Sequence, residues 1–205
     1  FYTNNGSNFT KVSIPTLDVW SHGSDVGDLN NDGYIDIVMA DLKNTNTTIA
    51  LNNQVNGFTS YVDPLGNAGD LRYGGSAVAI GNFMNNGNNN EVILTDAQCA
   101  VVSGTCSDSN TTKMYSVDWT GGVLTFTHEK DLPAFSTTGI DHSVEIANHD
   151  FNEDGYADVI VFSKKVNNGD DKLSEIQFMQ NNGSGEFTDT TSTTLIGYQS
   201  NTSST

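Results

Sequence analysis

The stretch DLNNDGYID, which begins at residue 28, places oxygen-bearing side chains at its first, third, fifth and ninth positions. Alternate side chains in a tight turn can converge on one point, and the glycine at the sixth position permits the sharp reversal that this requires. Hard oxygen donors in flexible geometry suit Ca²⁺, which takes about six to eight oxygens, better than Mg²⁺, which prefers a strict octahedron and keeps its waters. The predicted ligands are Asp28, Asn30, Asp32, the backbone carbonyl of Tyr34, and Asp36.

The stretch DFNEDGYAD, which begins at residue 150, repeats the same spacing. Its predicted ligands are Asp150, Asn152, Asp154, the backbone carbonyl of Tyr156, and Asp158. Three carboxylates held together without a cation would repel one another and raise their pKa values. An acidic turn that stabilises a hairpin without any metal is the alternative interpretation. Two matches at the same place in a repeat favour two Ca²⁺ sites.

A third copy, NFMNNGNNNE from residue 82, departs from this pattern. A thioether at the third position cannot serve a hard cation, and amides supply no charge to offset dehydration of the ion. We therefore expect this loop to be empty or weakly occupied, with its amides hydrogen-bonding the turn instead. Its polar residues are Asn82, Asn86 and Asn90, followed by Glu91 one place late.

The three loops belong to a longer repeat. Each follows a short strand-like segment and precedes an apolar run, IDIVMA, EVILT or ADVIVF, that suits a strand buried on both faces. Hairpin-like elements with an Asn/Gly turn alternate with the loops, at residues 1, 49, 114 and 176. One unit therefore reads as strand, acidic turn, strand, loop, strand, Asn-Gly turn and strand.

Four antiparallel strands in about 55 to 65 residues is the size of a propeller blade. We predict an all-β fold of about three and a half four-stranded antiparallel blades of a β-propeller-type array. The predicted units are roughly 1–60, 61–126 and 127–190, with a partial blade at the ends. Because a closed ring usually needs at least about four blades, we expect the segment to be part of a larger propeller or to be closed by other chains.

Composition limits the class of partner. The chain has 205 residues and a formal net charge of −17, with 25 acidic and 8 basic residues. Phosphate groups would be repelled, which argues against nucleic acid and anionic membranes. No apolar run approaches the roughly 18 residues of a membrane span. The start shows neither a Met nor a signal-peptide pattern, so we expect a mature or excised segment.

Cysteines and sequons bear on the compartment. Cys99 and Cys106, in QCAVVSGTC, could bridge a short loop in an oxidising compartment or remain two buried free thiols. Asn-X-Ser/Thr sequons are compatible with glycosylation and secretion, although several arise by chance in a chain this rich in Asn, Ser and Thr. They begin at Asn5, Asn8, Asn46, Asn110, Asn182 and Asn201.

The pattern Asp-x-Asn-x-Asp-Gly-x-x-Asp, followed by Ile/Val runs and alternating with NNGxGxF, resembles the FG-GAP/VCBS repeat family. The hairpin at Asn182–Phe187 carries the second motif best. That family includes the calcium-bearing blades of integrin α-subunit propellers and of seven-bladed fungal lectins. The resemblance implies Ca²⁺ ligation in the first and third loops, by Asp28, Asn30, Asp32, Asp36, Asp150, Asn152, Asp154 and Asp158.

The resemblance also favours an extracellular module, secreted or at the cell surface, that recognises or adheres to a protein or glycan. Candidate contacts are the aromatic residues Trp20, Tyr73 and Trp119, for which packing inside the blades is the competing interpretation. The count of about three and a half blades suggests an alternative function, assembly with copies of the chain or with neighbouring domains. An incomplete blade leaves edge strands whose backbone groups can pair with another chain. We expect no enzyme: Gly-x-Ser-x-Gly is absent, and the four histidines lack metal-ligand spacing. The least favoured alternative is the non-catalytic part of a secreted enzyme.

Overall fold

The computed structural model describes residues 2–4, 6–11, 21–41, 46–53, 57–62, 77–87, 91–95, 112–134, 142–167 and 170–194. Within these ranges the chain forms fourteen β-strands and one helical turn, α1 (Thr191–Thr194). The strands are β1 (Tyr2–Asn4), β2 (Phe9–Lys11), β3 (Ser21–Gly27), β4 (Asp36–Asp41), β5 (Asn46–Asn52), β6 (Phe58–Val62), β7 (Val78–Gly81), β8 (Glu91–Thr95), β9 (Thr112–Thr120), β10 (Val123–Asp131), β11 (His142–His149), β12 (Asp158–Asn167), β13 (Asp170–Asn181) and β14 (Phe187–Asp189).

The strands pair antiparallel, each with its neighbour in the chain. Strands β1 and β2 form a two-stranded sheet, and the others form the first sheet (β3–β6), the second sheet (β7–β10) and the third sheet (β11–β14). In each four-stranded sheet an acidic or amide-rich loop joins the first strand to the second. This architecture confirms the predicted all-β fold of four-stranded antiparallel units. The hairpin β1–β2 lies outside the first four-stranded sheet, and the described sheets do not close into a ring.

Strand β8 of the second sheet is buried on both faces, which explains why it is apolar at successive positions. Every residue of β8 from Glu91 to Thr95 is buried. Val92 and Leu94 pack into the core that lies between the first and second sheets, whereas Ile93 packs into the core between the second and third. The period of two along a strand therefore divides one apolar run between two hydrophobic cores.

The first strands of the three sheets lie next to one another. An ideal Cβ added to Gly27 at the end of β3 would lie 2.7 Å from Cγ2 of Ile80 in β7, so glycine is required by the close approach of the two strands. The backbone N–H of Ile80 donates a 2.8 Å hydrogen bond to Asp25 Oδ2. Asn148 Nδ2 in β11 in turn donates to the carbonyl of Ile80 at 3.0 Å. These bonds connect the three sheets at the edge where the loops begin.

Several predicted features lie outside the described residues. These are Asn90, the pair Cys99 and Cys106, the sequons at Asn5, Asn110 and Asn201, and the aromatic residues Trp20 and Tyr73. Asn46 opens β5, but its side chain is not described, whereas Asn8 and Asn182 are exposed. Among the described residues, no helix has the length and apolar character to cross a membrane.

Candidate metal centre

The first acidic loop connects β3 to β4 and is folded by its own side chains. Asp28 accepts hydrogen bonds from two backbone N–H groups, that of Asp32 at 3.0 Å and that of Gly33 at 2.8 Å. The side-chain oxygen of Asn30 also accepts from the Asp32 N–H, at 3.1 Å, and Asp32 Oδ1 accepts from the Tyr34 N–H at 2.9 Å. Asn30 Nδ2 donates to Asp32 Oδ2 at 3.1 Å. The side chains at positions one, three and five are thereby drawn into the inside of one tight turn.

Asp36, at position nine, is fully buried where the loop meets β4. Its Oδ2 accepts from the Leu29 N–H at 3.0 Å, and its Oδ1 accepts from the Asn52 N–H at 2.8 Å. Burial raises the pKa of Asp36 to about 6, and the charges of Asp32 and Asp28 add to the rise while the two backbone amides oppose it. Each carboxylate oxygen has a second lone pair, so these bonds leave acceptor capacity for a cation.

The third loop, between β11 and β12, reproduces this arrangement. Asp150 accepts from the N–H groups of Asp154 at 3.0 Å and Gly155 at 2.8 Å, and Asp154 Oδ1 accepts from the Tyr156 N–H at 2.9 Å. Asn152 Nδ2 donates to Asp154 Oδ2 at 2.8 Å. The buried Asp158 accepts from the N–H groups of Phe151 at 3.2 Å and Asn181 at 2.9 Å. The two loops thus share one hydrogen-bond pattern at every predicted side-chain position.

The middle loop keeps the backbone fold but changes the donor set. Asn82 Oδ1 accepts from the Asn86 N–H at 3.1 Å, as Asp28 does in the first loop, so an amide does hydrogen-bond the turn as predicted. An amide has a single acceptor oxygen, and Asn82 therefore lacks the second carboxylate oxygen that receives the glycine N–H in the other loops. Asn86 Nδ2 donates to Glu91 Oε1 at 2.7 Å.

Glu91 occupies the place of the ninth-position aspartate. It pairs with Gly81 across the sheet, as Asp36 pairs with Gly27 in the first sheet. Its buried carboxylate accepts from the Phe83 N–H at 2.8 Å. The middle loop is one residue longer than the other two, and the longer glutamate side chain keeps the same contact with the start of the loop.

The donor chemistry fits Ca²⁺ only if amide and carbonyl oxygens take part. No three side chains of His, Cys, Asp or Glu gather into a metal-binding group in the described part of the chain. In the first and third loops the side chains gathered by hydrogen bonds are two aspartates and one asparagine, with the buried aspartate at the loop's end. The carbonyl at position seven stays a predicted ligand. That mixed oxygen set matches a hard, loosely coordinated cation and excludes thiolate or imidazole chemistry.

The three loops surround a shared open cavity of about 580 Å³. Corresponding residues of all three units line it, including Asp28, Asn82 and Asp150, the first residues of the loops. His149, whose ring lies edge-on to Phe151, and Asn148 also reach the cavity. The loops therefore meet at one end of the molecule, at the inner edge of the sheets.

Sequence reasoning missed the polar residues that hold the loops in place. Asn181 is buried, and its Nδ2 donates to the carbonyls of Phe83 at 2.8 Å and Ala157 at 3.1 Å. Asn52 holds the corresponding place in the first sheet, where its N–H binds Asp36. The signal was the paired asparagines at the end of both third strands, in LNN and QNN.

Other singled-out side chains have structural surroundings. Trp119 lies on β9 and packs against the core between the first and second sheets, which favours a packing role. His128 lies 3.0 Å from Asp131 Oδ1 and contacts the Tyr115 ring. Neither residue belongs to the loop cluster.

Neither a family model nor a curated protein matches this chain.

Proposed function

We propose that this chain is a calcium-stabilised β-repeat module that recognises a protein or glycan outside the cell. The observation that carries the proposal is the identical hydrogen-bond pattern of the first and third loops, which gathers like charges at two corresponding places. Such crowding is unfavourable by itself. In the first loop, burial raises the pKa of Asp36 to about 6, and the nearby charges of Asp32 and Asp28 raise it further. A divalent cation would convert that repulsion into attraction.

In this proposal Ca²⁺ supplies positive charge that offsets the carboxylates and fixes the loop. The first loop would hold it with the side chains of Asp28, Asn30, Asp32 and Asp36 and the Tyr34 carbonyl. The third loop would use Asp150, Asn152, Asp154 and Asp158 and the Tyr156 carbonyl. The middle loop, with amides in place of two aspartates, would be empty or weakly occupied. The affinity expected for such a module is micromolar to millimolar.

Calorimetric titration with Ca²⁺ tests the metal sites. We expect two sites in the native chain, one in Asp32→Ala and one in Asp154→Ala, because each change removes a carboxylate from one turn only. Asp118→Ala is the matched control, since Asp118 is an exposed carboxylate on β9 and accepts a bond from Thr120. Equal stoichiometry in all four proteins would refute the assignment.

A recognition role rests on where the loops lie. The described loops that carry acidic and amide side chains converge on one cavity, and a rigid sheet scaffold that presents loops is a common basis for binding. The net charge of −17 favours partners that are neutral or basic. Glycan arrays and affinity capture, each with Ca²⁺ and with chelator, test this role. Absence of any calcium-dependent partner across both screens would count against it.

A further inference from the structure

The two internal sheet-to-sheet contacts use the same positions in each unit. The strand pairings align Ile49 with Met114. Leu29 corresponds to Phe83, because each is the second residue of its loop and donates its N–H to the buried carboxylate at the loop's end. The first member of each pair packs into the core between the first and second sheets, and the second packs into the core between the second and third. Each sheet thus presents a leading face to the next sheet in chain order.

The leading face of the third sheet has the corresponding apolar residues but no described sheet against it. Phe151 aligns with Leu29 and Phe83, which are 1% and 0% exposed, yet Phe151 is 39% exposed. Phe162 in β12 is 36% exposed, whereas the corresponding residues in the first and second sheets, Ala40 and Thr95, are buried. Phe151 packs against the ring of Phe178, 5.4 Å away, and Phe178 is itself only 5% exposed, so the accessible aromatic residues of this face are Phe151 and Phe162.

The opposite, trailing face of the first sheet is open at its inner edge. Val26 aligns with Ile80, which packs into the first core at 6% exposure, but Val26 is 58% exposed. Ile35 is 53% exposed, whereas its counterpart Ala157 packs against the second core. Met39, farther along this face, is already buried. The open part is therefore the strip beside the acidic loop.

We propose that the leading face of the third sheet binds the trailing face of the first sheet in a second copy of this chain. Inside the chain, a leading face packs against a trailing face twice, between the first and second sheets and between the second and third. The two open faces are one leading face and one trailing face of the same kind. Phe151 would cover Val26 and Ile35, in the way that Leu29 and Ile80 pack into one core inside the chain. A contact between two different faces is heterologous. Such contacts form a closed ring only if the rotation that relates one copy to the next brings the last copy back to the first. Two copies closed in this way would bring together six four-stranded sheets, within the range of roughly four to eight blades in closed propellers.

Sedimentation velocity over a range of protein concentrations tests this contact. We expect the native chain to dimerise, and to do so more readily as salt rises, because each copy carries a net charge of −17. Val26→Glu and Phe162→Glu should each give monomers, since every contact needs one leading and one trailing face. Val123→Glu is the matched control: Val123 is 60% exposed but lies at the start of β10, away from both faces.

Mixing the two monomeric variants provides the decisive measurement. Val26→Glu retains an intact leading face and Phe162→Glu an intact trailing face, so the mixture should form a heterodimer through one contact. This recovery also shows that neither variant is simply misfolded. A native chain that stays monomeric at every concentration and salt level overturns the proposal. So does dissociation by Val123→Glu, or a mixture that remains monomeric. The inference does not depend on calcium, and its test is distinct from that of the recognition role even though Val26 and Ile35 also line the cavity between the loops.

Discussion

The fourth position of each loop turn adopts a left-handed backbone conformation. Asn31, Asn85 and Glu153 have φ values of 57°, 49° and 61°. Asparagine visits this region comparatively readily, whereas a longer side chain such as glutamate pays most of the penalty of about 1–2 kcal/mol. The third loop is thus locally strained at a residue that is not a predicted ligand.

Glu153→Asn should therefore stabilise the protein. We expect the free energy of unfolding to rise by about 0.5–1 kcal/mol, because the change relieves part of the left-handed penalty. Urea denaturation in chelator measures the effect without a contribution from calcium. Glu153→Gln is the control, since it removes the same charge but keeps the unfavourable side chain. Equal stabilisation by both variants would assign the effect to charge rather than to the backbone.

The buried carboxylates at the ends of the first and middle loops predict different responses to calcium. Without metal, the pKa of Asp36 lies near 6, above its ordinary value of 3.8. The folded state therefore holds this proton more tightly than the unfolded state, and the stability gained from it is lost as the pH rises through 6. Burial also raises the pKa of Glu91 above its ordinary value.

Calcium should lower the titration midpoint of Asp36, because coordination favours the anion, and should leave that of Glu91 nearly unchanged. Carboxyl carbon NMR over a pH range of about five units resolves the two groups. The comparison with Glu91 controls for general screening by the added salt. A titration midpoint for Asp36 that is the same with and without calcium would contradict a calcium site in the first loop.

Packing of whole sheets depends on polar side chains that link one element to another. Asn181 at the end of β13 joins the third sheet to the second through the carbonyl of Phe83, and it also binds the backbone of its own loop through Ala157. The N–H of Gly183 donates a hydrogen bond to Oδ1 of Asn181 at 3.1 Å. Asn52 holds the same place in the first sheet but is only half-buried, and its Nδ2 contact with the Ile35 carbonyl is long, at 3.4 Å.

Asn181→Ala should destabilise the fold much more than Asn52→Ala. The first change leaves two carbonyls without their donor in a buried place, at an expected cost of about 2–3 kcal/mol, whereas the second should cost less than about 1 kcal/mol. Urea denaturation of the paired variants gives both values. Similar losses in the two proteins would show that the link between the second and third sheets contributes little.

The distances along the chain explain what could be predicted. The acidic turns were visible because every side chain that folds them lies within nine positions, and the buried strands were visible from their apolar runs. The bonds from Ile80 to Asp25 and from Asn148 to Ile80 join residues 55 and 68 positions apart, so no local spacing reveals them. Counting positions also aligned Asn90 with the ninth-position aspartates, whereas strand pairing assigns that place to Glu91.

At the scale of the whole molecule, calcium should act as a stabiliser by linkage. A ligand bound only by the folded state contributes about 2.7 kcal/mol per site when its concentration is 100 times the Kd, so two sites contribute about 5 kcal/mol. For a chain of this size that corresponds to a rise in Tm of roughly 10–20 °C. Sodium chloride screens the acidic surface but should not reproduce the effect at matched ionic strength.

The variant carrying both Asp32→Ala and Asp154→Ala separates the two contributions. We expect it to lose the calcium response while keeping the response to sodium chloride, because only the metal sites are removed from a chain that stays strongly acidic. Scanning calorimetry of both proteins, in chelator and in calcium, makes the comparison. An identical Tm for the native chain in both conditions would mean that the paired acidic turns stabilise their hairpins without a metal, through the hydrogen bonds of Asp28 and Asp150 alone.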